Sequence, residues 1–261
     1  MGDKVAGNRV RLPAEGFISE DFRVMLISEQ RPYQCVQQSH VKCFSLKFED
    51  GFLKALRNMV KPDFFIAGLG CSAGCLDVLK TFFANVPERT GIAFVVVQHL
   101  SRNYVSILDK LLQSHTKLPI IRVLQDMDIK PDHIYLLPEG KFLLIREGVL
   151  RLIPRTTTQV VNYAVDIFFT SLAAYAGNKA IGIILTGMGT DGLEGAKAIE
   201  GVGGIVFVQE PASAVFKGMP LSVITGDEPD VILPPAELAR SLAKYYKTGG
   251  IQDDEGFEAA G

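Results

Sequence analysis

From residue 64 onward, short apolar runs alternate with segments whose apolar residues recur at helical spacing. The apolar runs predict strands over 64–69, 92–98, 118–123, 133–137, 141–145, 149–153, 180–185, 205–208 and 231–233. The helical spacing predicts helices over 73–86, 105–112, 162–177, 192–200 and 234–246. This alternation favours an α/β fold with a mostly parallel, doubly wound sheet that has helices on both faces.

Two local features refine this expectation. The predicted strands between 118 and 153 follow one another without an intervening helix, which favours a short antiparallel edge or hairpin. Asn162 stands at the start of the helix predicted over 162–177, and its side chain is of the type that caps a helix N-terminus.

The chain divides into three parts that differ in polarity and in hydrophobic periodicity. Residues 1–60 are polar and charged with weak periodicity, and a Lys-Pro-Asp boundary follows at 61–63. We interpret 1–60 as an N-terminal extension of unknown role, either a weakly ordered linker or a docking segment for a partner. Residues 61–247 form the predicted α/β domain, and the acidic tail over 248–261 is predicted to be disordered.

Composition narrows the classes of function. The 261-residue chain is 48% hydrophobic with a net charge of −2, which argues against nucleic acid and anionic membranes as partners. No apolar run approaches the roughly 20 residues of a membrane span, and the N-terminus lacks a signal-peptide stretch, so we expect a cytoplasmic protein without membrane insertion. Four scattered histidines and two close cysteine pairs predict neither a metal site nor a disulfide framework.

The first candidate for chemistry follows the strand predicted over 64–69. Residues 70–74 read Gly-Cys-Ser-Ala-Gly, the G-x-S-x-G pattern in which a strained strand-to-helix turn exposes a nucleophilic serine, here Ser72. The free N–H groups of the following helix favour a developing oxyanion at the same place. Two other interpretations stay open: a glycine-rich turn whose serine merely caps the helix, and a G-x-G-x-x-A dinucleotide-binding loop over 68–73.

The end of the next strand bears on that choice. A dinucleotide-binding fold has an acidic residue about 20 positions after the glycine-rich loop, where it binds the ribose hydroxyl. Here the strand over 92–98 is instead followed by His99. His99 therefore counts against a nucleotide and supplies an imidazole at the edge where open α/β sheets bind ligands.

The third strand end, over 185–192, reads Leu-Thr-Gly-Met-Gly-Thr-Asp-Gly. Asp191 could simply cap the helix that follows it. Three glycines around one aspartate, however, are more than a cap needs and predict backbone packed closely against something else. Ser72, His99 and Asp191 at three strand ends could supply nucleophile, base and orienting carboxylate, in an order that differs from the Ser-Asp-His of α/β-hydrolases.

These motifs resemble the catalytic domain of the protein-glutamate methylesterases of bacterial chemotaxis. The resemblance covers residues 64–246 and rests on the serine elbow, the strand ending in His99, the Thr-Gly-Met-Gly-Thr-Asp-Gly run over 186–192, and the segments 135–138, 165–172, 209–211 and 218–220. It implies a Ser72–His99–Asp191 triad, with the backbone N–H groups of Ala73 or Met188 at the oxyanion. It also implies hydrolysis of glutamyl methyl esters, and glutamine deamidation, on a methylated chemoreceptor without a cofactor.

The sequence departs from the family in several places, one of which is Arg102, where the family commonly has proline. Cysteine stands at positions 71 and 75, where the family has a small residue and glycine, which predicts a slightly distorted elbow. Residues 1–60 also do not read as the response-regulator receiver domain of a typical member. Two rival functions therefore stay open: a non-catalytic signalling module of the same fold, and a nucleotide-binding α/β protein.

Overall fold

A computed structural model describes residues 61–100, 105–155 and 162–247. The expectations for residues 1–60 and 248–261 lie outside this part of the chain. Within it, the apolar runs form ten strands: β1 (Phe65–Cys71), β2 (Ile92–Gln98), β3 (Ile120–Arg122), β4 (Met127–Asp128), β5 (Ile134–Leu136), β6 (Lys141–Arg146), β7 (Val149–Pro154), β8 (Ala180–Ile184), β9 (Ile205–Gln209) and β10 (Val231–Leu233).

The amphipathic segments form the helices between these strands. They are α1 (Cys75–Ala84), α2 (Leu108–Leu112), α3 (Ala164–Ala176), α4 (Leu193–Glu200), α5 (Gly218–Gly226) and α6 (Pro235–Lys247). Short 3₁₀ turns lie at Gln113–His115, Gly177–Lys179 and Pro211–Ser213.

Seven strands form one parallel sheet in the order β10-β9-β8-β1-β2-β5-β3. Its central strands β1, β2 and β8 are almost fully buried because helices cover both faces. Helices α3, α4 and α5 pack with one apolar cluster, and α1, α2 and α6 with the other. The predicted doubly wound α/β class is confirmed.

A separate three-stranded antiparallel sheet, in the order β4-β7-β6, packs on the α3 side. Strands β6 and β7 form a hairpin in which Glu147 and Gly148 both have positive φ angles, 56° and 78°. Two successive positive φ angles are typical of the tight turns whose twist matches that of paired strands. The predicted antiparallel hairpin is therefore confirmed.

Register brings three strand ends to one place. In the sheet β1 lies between β8 and β2, and Cys71 at the end of β1 pairs with Gln98 at the end of β2. On the other side Gly70 pairs with Ile184, the last residue of β8. The loops that follow these three strands therefore leave the sheet side by side at its carboxyl edge.

Two local expectations were wrong or incomplete. Tyr163, not Asn162, is the N-cap residue of α3, no side chain of the cap residue bonds to the helix, and Asn162 Oδ1 is buried without a partner. Helix α5 was not predicted, because its sequence Gly-Met-Pro-Leu-Ser-Val-Ile-Thr-Gly lacks a polar face and carries proline in its first turn. Among the described helices, none is both long and apolar enough to cross a membrane.

Candidate active site

The three candidate residues of the sequence follow the three adjacent strands β1, β2 and β8. Main-chain hydrogen bonds extend the sheet through their loops: His99 N–H donates to Cys71 O at 3.0 Å, and Ser72 N–H donates to Thr186 O at 3.0 Å. The backbone of Ser72 is thereby held between the loop that carries His99 and the loop that leads to Asp191.

The turn after β1 is tight because of Gly74. Gly74 has a φ of 74°, in the left-handed region that glycine favours, and α1 begins at the next residue. Ser72 itself does not have a positive φ, so the strained serine expected from the motif is not found in that form. Ser72 is partly exposed at the start of this turn.

Cys71 and Cys75 fit the elbow without the expected distortion. Cys75 is the first residue of α1 and has no positive φ, so the freedom of glycine is not needed there. Both thiols are buried, and Gln98 Nε2 donates to Cys75 Sγ at 3.1 Å. A hydrogen bond from Cys71, opposed by burial, lowers the pKa of Cys75, while the Cys75 contact and burial raise the pKa of Cys71.

His99 and Asp191 are in direct contact. His99 Nε2 lies 2.5 Å from Asp191 Oδ2, and the side chains are 17% and 6% exposed. A buried carboxylate at this distance favours the tautomer that carries hydrogen on Nε2. The lone pair on Nδ1 is then the one that can accept a proton.

The side chain of Asp191 is oriented by the N-terminus of helix α3. Its Oδ2 also accepts the N–H of Val165 at 2.9 Å, and its Oδ1 accepts the N–H of Asp166 at 2.9 Å. Both N–H groups belong to the first turn of α3, whose positive dipole end favours a carboxylate. Asp191 thus caps α3, whereas the alternative predicted from the sequence was a cap on α4, the helix that follows Asp191 and whose N-cap residue is Gly192.

The Ser72 hydroxyl is the third candidate group of the site. Among the residues that the structure describes, Ser72 Oγ forms no hydrogen bond with His99, so two of the three candidate groups are joined and the third lies at the neighbouring strand end. Hydrogen bonds of catalytic groups are often long in a site without substrate and tighten when it binds.

Two of the three glycines around Asp191, Gly187 and Gly192, are packed closely as predicted, whereas a Cβ at Gly189 would meet nothing within 4 Å. A Cβ at Gly187 would lie 2.9 Å from Ser72 Cβ and 2.1 Å from Met219 Sδ. At Gly192 a Cβ would lie 2.5 Å from Ile184 Cδ1, and the φ of 104° favours glycine as well. The main chain of the loop after β8 therefore packs directly against the serine elbow, where a side chain would push the two apart.

The two oxyanion candidates flank this contact. Outside the helices, none of the hydrogen bonds between described residues uses the N–H of Ala73 or of Met188. The Ala73 carbonyl, in contrast, lies 3.3 Å from the Thr186 hydroxyl. The Met188 side chain is 61% exposed, so the chain contributes main-chain donors and an apolar rim at this side of the site.

Sequence reasoning missed the polar groups beneath the elbow. Thr186 and Gln209 are fully buried, and the Thr186 hydroxyl accepts the N–H of Phe216 at 2.9 Å. It also missed the role of Asp166, whose Oδ1 accepts the N–H groups of Gly192 at 2.9 Å and Gly195 at 2.8 Å. Gln209 and Asp166 lie in two segments that carried the family resemblance, which was the available signal.

The carboxyl of Asp166 has unusual electrostatics. The pKa of Asp166 is raised from 3.8 to about 7, chiefly because the carboxyl is buried and next because the charge of Asp191 lies nearby. The N–H groups of Gly195 and Gly192 act in the opposite direction because they stabilise the ionised form.

The loop over 68–73 does not have the geometry of a phosphate-binding loop. Gly68 and Gly70 lie inside strand β1, where α3 packs against them. A Cβ at Gly68 would lie 2.8 Å from Phe169, and one at Gly70 would lie 2.4 Å from Val165. These glycines therefore make room for helix packing, which removes the main support for the nucleotide interpretation. In the three described ranges, no group of three or more His, Cys, Asp or Glu residues could hold a metal ion.

Comparison with known proteins gives a consistent result. The family profile described as CheB methylesterase matches residues 67–242, well over half of the chain. The chain is also similar to a solved structure, the CheB methylesterase catalytic domain of Thermotoga maritima, with 29% identity and a TM-score of 0.65. That similarity covers 70% of this chain and 99% of the Thermotoga chain.

Two relatives are both named protein-glutamate methylesterase/protein-glutamine glutaminase. The protein from Trichodesmium erythraeum is 33% identical over 69% of this chain and 52% of its own length. The protein from Maricaulis maris is 31% identical over 74% of this chain and 49% of its own length. The alignments thus span about half the length of these curated relatives.

Proposed function

The chain belongs to the CheB methylesterase family, and from that premise we propose that it hydrolyses glutamyl methyl esters on methylated chemoreceptors with Ser72, His99 and Asp191 as a catalytic triad. The observation that carries the proposal is the 2.5 Å contact between His99 Nε2 and Asp191 Oδ2, at the sheet edge where the Ser72 elbow also ends. The same chemistry extends to glutamine side chains, as the names of the relatives indicate for those proteins.

Acylation follows from the arrangement of the groups. Ser72 Oγ attacks the ester carbonyl carbon while its proton passes to Nδ1 of His99. Asp191 accepts the Nε2 hydrogen, which holds the ring and stabilises the positive charge that the ring acquires. The tetrahedral oxygen carries a negative charge, and the N–H groups of Ala73 and Met188 are our candidates for its donors because no main-chain hydrogen bond between described residues uses them.

Acylation ends when the tetrahedral intermediate collapses and His99 gives its proton to the methoxide, which leaves as methanol. In deacylation a water molecule attacks the acyl carbon and gives a proton to His99, which passes it to Ser72 Oγ as the bond between the acyl carbon and Ser72 Oγ breaks. The glutamate carboxylate and free Ser72 are the products. With a glutamine substrate the leaving group is ammonia, and every other step is the same.

Membership of the family supports a proposal for the substrate protein and for the place of reaction. We propose a methylated chemoreceptor as the substrate protein and the cytoplasm as the place of reaction. The exposed apolar side chains beside the elbow, Met188 and Val215, are 61% and 67% exposed and suit contact with a protein substrate. A further signalling partner for residues 1–60 remains our proposal from the sequence.

The test is methanol release from membranes that contain a chemoreceptor carrying radiolabelled methyl groups. Wild-type protein should release methanol, and Ser72→Ala should lower the rate on the order of 10³-fold or more because the nucleophile acts as part of a unit. Ser114→Ala is the matched control, since it removes the hydroxyl of an exposed serine outside the site.

Two results would contradict the proposal. Release by Ser72→Ala within about tenfold of wild type would remove Ser72 as nucleophile. A folded wild-type protein that releases neither methanol from the methylated receptor nor ammonia from its glutamine precursor would favour the non-catalytic signalling module.

A further inference from the structure

Helices α3 and α4 exchange caps at their N-termini. Asp191, in the loop before α4, accepts the N–H groups of Val165 and Asp166 in the first turn of α3. Asp166, within that turn, accepts the N–H groups of Gly192 and Gly195 at the start of α4. Asp191 therefore accepts free N–H groups of α3, the helix that carries Asp166. Asp166 accepts free N–H groups at the start of α4, the helix that follows Asp191.

From this exchange we propose that Asp166 is a positioning residue for the His99–Asp191 pair. It acts through Asp191 and touches neither the nucleophile nor the reacting ester. The expected effect on turnover rests on the proposed function. The positioning of the pair is a property of the folded protein and can be measured without turnover.

The exchange determines which oxygen of Asp191 faces the imidazole. Oδ1 is held by the N–H of Asp166 and Oδ2 by the N–H of Val165, so rotation of the carboxylate would break both contacts together with the one to His99. The Asp166 side chain in turn holds Gly192, the residue directly after Asp191. Loss of that side chain leaves two buried donors unpaired and frees the main chain that carries Asp191.

The two carboxyl groups also share one electrostatic environment. The charge of Asp191 raises the pKa of Asp166, and Asp191 is at the same time in contact with the imidazole of His99. Because the pKa of Asp166 is raised to about 7, its carboxyl holds a proton more readily than an ordinary aspartate near neutral pH.

The experiment compares Asp166→Ala, Asp166→Asn and a control. Asparagine keeps an acceptor oxygen for Gly192 and Gly195, whereas alanine keeps none. The control is Ser171→Ala, which removes a hydroxyl on the same helix that bonds to Ile145 and Phe168 away from the site. All three are assayed for kcat, KM, melting temperature and the downfield proton resonance of the His99–Asp191 hydrogen bond.

Asp166→Ala should lower kcat on the order of 10- to 100-fold with KM nearly unchanged, because a misplaced base impairs the chemical step more than substrate binding. Its downfield resonance should broaden or disappear. Asp166→Asn should restore kcat to within about threefold of wild type, and Ser171→Ala should lose stability while keeping kcat and the resonance.

Two results would overturn the inference. The first is a kcat of Asp166→Ala within twofold of wild type with the resonance intact. The second is an equal loss of kcat in Ser171→Ala at matched stability. If wild-type protein releases no methanol, the proposed function fails, and the resonance in Asp166→Ala still decides whether Asp166 positions the pair.

Discussion

The main-chain N–H of Thr186 donates to Oε1 of Gln209 at 2.8 Å, and both side chains are fully buried beneath the serine elbow. Gln209 Nε2 continues to the carbonyl of Ser213 at 3.1 Å. The Thr186 hydroxyl lies within hydrogen-bond distance of the carbonyls of Ala73 and Phe216. The end of β8, the elbow and the loop before α5 are thus joined through one buried polar network.

Thr186→Val tests this network, since valine keeps the shape and removes the hydroxyl. The N–H of Phe216 loses its acceptor, so the free energy of unfolding should fall by about 1–3 kcal/mol. The rate of methanol release should fall on the order of tenfold because the elbow loosens. Denaturant unfolding and the release assay measure the two effects. Thr225→Val is the control, because its hydroxyl bonds only within the exposed face of α5, and equal losses in both variants would contradict the role of the network.

Asp191→Asn should affect both chemistry and capping. Both oxygens of Asp191 accept hydrogen bonds, whereas asparagine has one acceptor oxygen, so one N–H of α3 loses its partner. We expect kcat to fall on the order of 10³-fold or more because the wrong tautomer of His99 is favoured, with about 1 kcal/mol lost in stability. Asp109→Asn, which alters a salt-bridged aspartate outside the site, is the control. A kcat within about tenfold of wild type would exclude Asp191 as the partner of His99.

The raised pKa of Asp166 predicts a pH-dependent difference in stability. Between its ordinary 3.8 and about 7, the folded carboxyl keeps a proton that the unfolded chain has already lost, so this group favours folding less as pH rises through that window. Asp166→Asn does not ionise. Its melting temperature relative to wild type should therefore be higher at pH 8 than at pH 5. Asp77→Asn, at an exposed aspartate of α1, should show no such trend, and a parallel pH profile for Asp166→Asn and wild type would refute the prediction.

Gly187→Ala should displace the nucleophile. The added Cβ would meet Ser72 Cβ and Met219 Sδ, and overpacking of this kind costs about 1–3 kcal/mol. We expect kcat to fall on the order of 10²-fold, since a displacement of about 1 Å is enough for such a loss. Adding Met219→Ala should recover part of the stability but not kcat, because the contact with Ser72 remains. Gly140→Ala is the control for adding a methyl group away from the site, since a Cβ there meets nothing within 4 Å, and an equal kcat loss in that variant would contradict the argument.

The sequence by itself predicted the alternation of elements and the candidate residues. Apolar runs identify strands because a strand buried on both faces needs apolar residues throughout, and β2 was predicted at its observed bounds, Ile92–Gln98. Ser72, His99 and Asp191 were found because each follows such a run within a few residues. These are local signals, and they remain readable without knowledge of the fold.

Only the tertiary structure decided which groups meet. The order β8-β1-β2 makes three loops neighbours, and the pairing of β1 with β8, in which Ile66 lies beside Ala180, 114 residues further on, is not encoded in any local window. The cap of α3 illustrates the limit: Asn162 was predicted from its position, but Asp191, 26 residues from Val165, supplies the acceptor. A helix N-terminus needs an acceptor in space rather than in sequence, so the exchange between Asp166 and Asp191 becomes visible only when the two helices pack together.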